Sequence, residues 1–252
     1  EPLLTSGSVA PEALVATVGR PASVQALKQG VFSQSSIHPA ASTEAAAVWT
    51  APLQLLAIKP QQVEAVAAAA PPVDGSPLLV SVLAGVNLKR LQRLFPGHRV
   101  VRAVPNTPSL VGQGLTALAW GDGISSAQRQ QVQDLFAGVS EVLELPEDKL
   151  DPFLALTSSG PAFVALVAEA MADGAVAAGL PRDLAHRLAH RTLAGSAALL
   201  DQRQLHPALL KDMVTSPGGT TIAGVRALER AGLRSALMEA VIAAAERSRE
   251  LA

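Results

Sequence analysis

The stretch TSPGGTT, residues 215 to 221, combines residue types that can bind a small carboxylate. Its two glycines, Gly218 and Gly219, let backbone amides turn inward and approach a ligand closely. A helix that begins at Thr220 or Thr221 adds free N–H groups and the positive end of its dipole. The alternative is an ordinary connection between two helices, with a threonine as the N-cap. The stretch therefore predicts either an anion-binding loop or a polar turn.

Small, rigid or hydrogen-bonding residues follow three apolar runs that are predicted to be consecutive strands. Lys59-Pro60 follow the first run, Ala84-Gly85 the second and Pro105-Asn106 the third. In an open parallel sheet, ligands bind at the carboxyl ends of the strands. These positions form a candidate ligand-binding edge, with ordinary turn chemistry as the alternative, because proline, asparagine and glycine punctuate loops everywhere.

Arg20 directly follows the run ALVATV, where a dinucleotide-binding fold places the group that meets the adenosine ribose. An acidic residue there favours a free 2′-hydroxyl, whereas an arginine can pair with a 2′-phosphate. No acid lies in Gly19-Arg20-Pro21, which favours NADPH. The alternative is a surface arginine at a turn.

Nothing in the sequence predicts a metal site. The chain contains no cysteine, which excludes a disulfide framework and a thiolate ligand set. His186 and His190 stand four residues apart on a predicted helix, a spacing that can hold one metal ion. No acidic third ligand is evident on that face, and HRLAHR is typical of the solvated side of an amphipathic helix.

The composition indicates a folded protein without a strong charge. The 252 residues are 49% hydrophobic, enough for a sizeable core. The formal net charge of −1 indicates neither nucleic acid nor an anionic membrane as a partner. The longest weakly polar stretch, 161 to 180, is interrupted by Glu169 and Asp173 and predicts no membrane span, which needs about 20 residues. Because the start of the sequence lacks a basic region followed by an apolar one, we expect a cytoplasmic protein.

Short apolar runs alternate with helical patterns in the first part of the chain. Such runs are typical of strands that are buried on both faces of a parallel sheet. They are ALVATV (13 to 18), LQLLAI (53 to 58), LLVSVL (78 to 83), RVVRAV (99 to 104), GLTALAW (114 to 120) and EVLEL (141 to 145). The strand, helix, strand rhythm predicts a doubly wound α/β domain, to which we assign residues 1–146.

Every segment of residues 147–252 has a helical pattern. Ser159 and Pro161 predict the N-cap and first turn of a long helix that ends at Gly179, and Pro181 opens the next helix. Alanine-rich helices of this kind pack closely, often across a dimer interface. We therefore predict an all-helical second domain.

The order of these motifs resembles the pyrroline-5-carboxylate reductase family. AIKP, AG, VRAVPNTPSLVGQGLTAL, SSGPAFVALVAEAMADGAVAAGLPR and HPALLKDMVTSPGGTTIAGVRALERAGLRSALMEAV follow one another in register from about residue 53 to the end. The resemblance implies a Rossmann-like N-terminal domain and an all-α C-terminal dimerisation domain. It also implies hydride transfer from NADPH or NADH to 1-pyrroline-5-carboxylate, giving L-proline in the last step of proline biosynthesis.

The resemblance also implies which residues form the site, and it places the substrate between the cofactor domain and helices of a dimer. The expected cofactor-binding residues are Arg20, Ala57, Ile58, Lys59, Pro60, Ala84 and Asn106. The expected substrate-binding residues are Met213, Ser216, Gly218, Gly219, Thr220 and Thr221. The implied assembly is a homo-oligomer built from dimers.

Thr221 is the expected catalytic residue, as a proton donor to the imine nitrogen or as a hydrogen-bonding group that orients the substrate. A cyclic imine can take its proton from water near neutral pH, so the reaction needs orientation more than a strong acid. The orienting role is the stronger of the two hypotheses.

The sequence departs from the family pattern in three places. The strand and glycine-rich loop GxGxMG that receive the cofactor pyrophosphate are missing before EPLLTSGSV, which is similar to the end of the first helix. Either the sequence is a fragment or the protein starts here with open strand edges; the intact remaining site favours a fragment. Ser158 replaces a usual glycine, and Glu44 stands near a usual asparagine, which counts against the NADPH preference.

Two rival functions remain open. Another two-domain reductase, acting on other imines or hydroxy acids, would place a lysine or aspartate of the helical domain at the nicotinamide. Lys211-Asp212 could take that role. A non-catalytic helical scaffold with a degenerate cofactor domain would explain the missing glycine loop.

Overall fold

The computed structural model describes residues 2–29, 32–40 and 43–251, with the side chains of residues 43 and 44 left out. The chain forms two compact units. The α/β unit contains the chain up to Ser158 and the segment from Ala244 onwards, and the helical unit is Ser159–Ala243. The domain boundary between residues 146 and 147 stays a prediction.

The strands of the α/β unit form two sheets. The strands are β1 (Val15–Val18), β2 (Ser36–Pro39), β3 (Leu53–Leu56), β4 (Leu78–Ser81), β5 (Arg99–Pro105), β6 (Gly114–Trp120) and β7 (Ser140–Glu144). β1 pairs with β2 in parallel, and the other five lie in the order β3-β4-β5-β6-β7. Only the β5–β6 pair of the larger sheet is antiparallel. The predicted α/β class is confirmed.

Four strands have an edge without a strand partner in the part of the chain that the structure describes. β1 and β2 pair only with each other, β3 pairs only with β4, and β7 pairs only with β6.

The other regular elements of the described chain are helices. The α-helices are α1 (Pro2–Thr5), α2 (Pro21–Leu27), α3 (Val63–Ala69), α4 (Leu88–Leu94), α5 (Ser126–Ala137), α6 (Leu150–Thr157), α7 (Gly160–Ala177), α8 (Arg182–Gln202), α9 (Pro207–Met213), α10 (Thr220–Arg230) and α11 (Leu233–Glu250). Short 3-10 helices cover Pro11–Ala13, Thr43–Thr50, Pro60–Gln62, Thr107–Val111 and Glu147–Lys149.

The larger sheet is covered on both faces, as its continuous apolar runs predict. All four residues of β4 are buried. Leu79 contributes to a core cluster with Leu91 of α4, and its neighbour Leu78 contributes to another with Val132 of α5. Alternate residues of one strand thus serve opposite faces, which fixes the register of the sheet.

Alanine residues let the first two long helices of the helical unit approach closely. Ala172 of α7 and Ala185 and Ala189 of α8 form its buried cluster. Gly179 adopts φ +105°, a conformation that favours glycine, so the predicted end of α7 is confirmed. Ser159 lies at the N-cap position, but its side chain makes no capping hydrogen bond.

The helical unit leaves much apolar surface uncovered. Large hydrophobic side chains that are exposed along Ser159–Ala243 include Val164, Leu166, Met171, Leu188, Leu209, Met213, Leu228 and Met238. The stretch Glu147–Ala177 is long and apolar enough to cross a membrane by length and composition, a test that core helices also pass. Its most apolar window is only 11% buried. Surface of this extent marks an interaction site.

Candidate active site

The loop between α9 and α10 is a sharp polar turn. Gly218 adopts φ +67°, which allows the backbone to reverse. The N–H of Gly219 donates to the carbonyl of Ser216 at 3.1 Å. Thr215 Oγ1 donates to the carbonyl of Lys211 at 2.6 Å, which ties the loop to α9.

The first amides of α10 are available to a ligand. Gly219 is the N-cap residue and has no side chain to cap the helix. Among the described residues, no acceptor pairs with the backbone N–H groups of Thr220, Thr221 and Ile222. An added Cβ at Gly219 would meet Ser216 Oγ, so the serine hydroxyl would have to rotate away from its present position. Free amides at the start of an 11-residue helix form an anion-binding arrangement.

The predicted substrate-binding residues cluster around this turn. Ser216, Gly218 and Thr220 are exposed, whereas Gly219 and Thr221 are half-buried. Met213, the last residue of α9, is 69% exposed although it is apolar. The turn thus presents two hydroxyls, free amides and one apolar side chain.

A second group of predicted residues lies at one edge of the larger sheet. β3, β4 and β5 are parallel, so their carboxyl ends share an edge. Ala57, Lys59 and Ala84 are exposed there, and Ile58 and Pro60 are half-buried. Small residues at Ala57 and Ala84 leave this edge open to a flat ligand.

Asn106 lies at the same edge, but its side chain is engaged with the protein. Its Oδ1 accepts from the backbone N–H of Leu115 at 2.8 Å, and its Nδ2 donates to the carbonyl of Thr157 at 3.0 Å. Ser158 Oγ donates to the carbonyl of Pro105 at 3.4 Å. Sequence reasoning missed the Asn106–Thr157 and Ser158–Pro105 contacts because these partners stand 51 and 53 positions apart.

Arg20 is the N-cap residue of α2 and directly follows β1. Its side chain is exposed and makes no ion pair with the described part of the chain. A free guanidinium at the end of a strand can meet a phosphate. The side chain of Glu44, the residue that counts against this interpretation, lies outside the described residues.

The sequence offers two alternative sites, the histidine pair on α8 and the Lys211-Asp212 pair. The rings of His186 and His190 have centroids 6.3 Å apart on α8. No group of three metal-ligating side chains is found within residues 2–29, 32–40 and 45–251. Lys211 Nζ pairs with Asp212 Oδ1 at 2.6 Å.

Two surface cavities of about 360 and 720 Å³ are lined by none of the predicted site residues.

An α/β unit with an open carboxyl edge, followed by helices with free amides at a polar turn, is the architecture of two-domain reductases. The family model described as pyrroline-5-carboxylate reductase dimerisation matches residues 147–251. A pyrroline-5-carboxylate reductase of Synechocystis sp. is 50% identical over 197 residues, which cover 78% of this chain and 74% of that protein. One of Glycine max is 46% identical over 198 residues, with 78% and 72% covered.

The fold comparison agrees with the sequence comparison. The crystal structure of a Plasmodium falciparum pyrroline carboxylate reductase with NADP bound superposes with a TM-score of 0.88 at 27% identity. The superposition covers 99% of this chain and 91% of that one. The chain therefore belongs to the pyrroline-5-carboxylate reductase family, and its helical part carries the dimerisation domain of that family.

Proposed function

We propose that this chain reduces 1-pyrroline-5-carboxylate to L-proline, the last step of proline biosynthesis. A hydride adds to C5 of the C=N bond, and the nitrogen takes one proton. The observation that carries this proposal is the row of free amides at the start of α10, since a carboxylate is the group that distinguishes this substrate from a plain cyclic imine.

The turn at residues 215 to 221 binds the substrate carboxylate. The amides of Gly218, Thr220 and Thr221 supply hydrogen bonds to the anion, and the hydroxyls of Ser216 and Thr220 add polar contacts. Met213 supplies an apolar contact for the ring carbons. These roles follow from the free amides, the exposed hydroxyls and the family pattern.

Thr221 acts on the imine nitrogen. It is half-buried at the second position of α10, so its hydroxyl can stay ordered beside a bound substrate. A hydroxyl is a weak acid, and the imine takes its proton from water near neutral pH, so Thr221 orients the substrate. Its role as the proton donor is the second candidate.

NADPH binds at the carboxyl edge of the larger sheet, with NADH as a second donor. When bound, it supplies the hydride. Arg20 pairs with the 2′-phosphate, since its guanidinium is exposed and has no acidic partner in the described chain. Ala57, Ile58, Lys59, Pro60, Ala84 and Asn106 line the cofactor. NADP in the Plasmodium falciparum relative supports this assignment.

The enzyme assembles as a homo-oligomer built from dimers in the cytoplasm, without nucleic-acid or membrane partners. A second copy covers the apolar side chains of α7 and α8 that a single chain leaves exposed. Residues 1–146 form the cofactor-binding domain, and residues 147–252 form the substrate-binding and dimerisation domain.

The test is NADPH oxidation followed at 1-pyrroline-5-carboxylate concentrations around saturation, with L-proline identified as the product. A parallel screen of β-hydroxy acids and of cyclic imines without a carboxylate tests the rival reductase. Turnover of an uncharged imine at the same rate would contradict the carboxylate-binding role of the turn. NADPH fluorescence that does not change on addition of the protein would favour the non-catalytic scaffold.

Thr221→Val separates the two roles of Thr221. Loss of the proton donor lowers kcat and changes its pH profile, whereas loss of an orienting hydrogen bond raises KM with the pH profile kept. An unchanged rate would remove the donor role.

A further inference from the structure

The side-chain amide of Asn106 joins segments that are distant in the sequence. It receives a hydrogen bond from Leu115 at the start of β6 and donates one to Thr157, the last residue of α6. Asn106 occupies the N-cap position of the 3-10 helix Thr107–Val111, yet it makes no capping hydrogen bond there. The amide is thus used as a bridge between β5, β6 and α6.

The helix cannot supply a hydrogen-bond donor to the carbonyl of Thr157, because the residue four positions later is a proline. In a continuous helix this oxygen accepts the N–H group of residue i+4. That residue is Pro161, which has no N–H group. A carbonyl left unpaired away from water costs about as much free energy as a lost hydrogen bond. Asn106 satisfies a carbonyl that the helix itself cannot.

Ser158, the residue after Thr157, makes a second contact between the end of α6 and the end of β5. Its hydroxyl donates to the carbonyl of Pro105, the residue before Asn106. Two adjacent residues at the end of β5 therefore hold two adjacent residues at the end of α6. Ser158 is also the last residue of the α/β unit before the chain enters the helical unit.

We propose that Asn106 is a positioning residue, whose side chain holds the α6–α7 junction at the end of β5. The end of α6, which is the last helix of the α/β unit before Ser159, is then fixed at the edge where the cofactor is proposed to bind. The inference rests on the proposed function, because the chain continues from this junction to the substrate-binding turn. Asn106 acts through Thr157, and its side-chain amide is paired with Leu115 and Thr157, so that Asn106 lines the cofactor only through its backbone.

Asn106→Asp is the primary test. It keeps an acceptor for Leu115 and replaces the donor to Thr157 by a carboxylate oxygen that repels the carbonyl. We expect kcat to fall about tenfold, the factor that corresponds to one hydrogen bond, while the Kd for NADPH from fluorescence titration stays within about twofold. Amide hydrogen exchange at residues 158 to 162 should become faster.

Ser158→Gly provides a milder variant of the same junction. It removes only the contact with Pro105, and we expect the same direction of change in kcat and in hydrogen exchange. Because both side chains hold one junction, the effects of Asn106→Ala and Ser158→Gly on kcat should not be additive in the double variant.

Ser125→Ala is the matched control. Ser125 Oγ accepts the N–H of Gln128 at the start of α5, which follows the antiparallel strand β6 and so lies toward the opposite edge of the sheet. Loss of this cap should leave kcat unchanged.

The outcomes separate this inference from the proposed function. An active wild-type enzyme with an unchanged kcat in Asn106→Asp, or with a raised Kd for NADPH and an unchanged exchange rate, would overturn the positioning role. Additive effects in the double variant would overturn it as well. A wild-type protein without turnover of 1-pyrroline-5-carboxylate would instead refute the proposed function itself.

Discussion

Glu147 Oε1 lies 2.8 Å from Nη1 of Arg102 in the middle of β5, and the same oxygen accepts the backbone N–H of Leu88 at 2.7 Å. One carboxylate therefore neutralises a guanidinium whose side chain is only 9% exposed and caps the first turn of α4. This contact connects the start of the family's dimerisation segment with the centre of the sheet.

Glu147→Ala should lower the free energy of unfolding by about 2 kcal/mol, measured by urea denaturation. Breaking a buried ion pair costs about 3–5 kcal/mol, and the 32% exposure of Glu147 reduces that cost through solvent screening. The matched control is Asp173→Ala, which breaks the exposed pair with Arg182 and should cost less than about 1 kcal/mol. Equal losses in both variants would contradict the structural role of Glu147.

Stability should fall on acidification because of His98. Burial lowers the pKa of His98 below its ordinary value of 6.5, and the neighbouring backbone of Phe95 partly opposes this shift. The folded state therefore binds fewer protons than the unfolded state as the pH falls below 6.5, and the free energy of unfolding decreases.

The contribution of His98 can be isolated with His98→Gln. The neutral variant should show a smaller loss of stability between pH 7 and pH 5 in urea denaturation. Trp49, whose ring centroid lies 6.3 Å from that of His98, offers a local fluorescence probe. The same pH slope in both proteins would assign the acid sensitivity to other groups.

Gly219→Ala should raise KM for 1-pyrroline-5-carboxylate by about tenfold or more, the equivalent of one lost hydrogen bond to a charged group. The added methyl meets Ser216 Oγ, so the serine hydroxyl must rotate away from its proposed contact with the carboxylate. Gly224→Ala is the control on the same helix, since no atom lies within 4 Å of the added Cβ. Steady-state kinetics at saturating NADPH would reveal an unchanged KM if the turn did not bind substrate.

Arg20→Ala should weaken NADPH binding about tenfold and leave NADH binding unchanged, because only NADPH carries the 2′-phosphate. Arg93→Ala, which removes an exposed arginine of α4, is the control for a general loss of positive charge. Fluorescence titration with both cofactors measures the ratio. A parallel loss for NADH would place Arg20 elsewhere in the site.

Leu166→Glu should shift the protein from dimer to monomer in light scattering after gel filtration. Leu166 is 66% exposed in a single chain, and a charge there cannot be desolvated by a partner without a large cost. Leu110→Glu, at 64% exposure outside residues 147–251, should leave the assembly intact. A dimer that survived Leu166→Glu would place the interface on another surface.

The sequence predicted most of the sheet because buried strands have a simple pattern. LLVSVL and RVVRAV coincide with β4 and β5, whose alternating residues are buried on both faces. The sequence did not predict β2, because SIHP offers one large apolar residue, Ile37, and ends in proline. The stretch TEAAAVW, which lies between two of the predicted strands, is part of the 3-10 helix Thr43–Thr50.

The part of the candidate site that depends on neighbouring residues in the sequence, the polar turn, was predictable. Glycines and proline at residues 217 to 219 mark a turn whatever the rest of the fold does. The pair Arg102 and Glu147 and the bridge from Asn106 to Thr157 could not be predicted, since each joins side chains that only the folded sheet brings together. A charged residue such as Arg102 within an apolar run carries no sign of its partner.

The exposed apolar window of Glu147–Ala177 has a practical consequence. If a second copy covers this surface, folding and association are one equilibrium, and the melting temperature rises with protein concentration. Dilution to nanomolar concentrations then dissociates the assembly and lowers its melting temperature. Specific activity measured at such concentrations is therefore lower than that of the assembled enzyme.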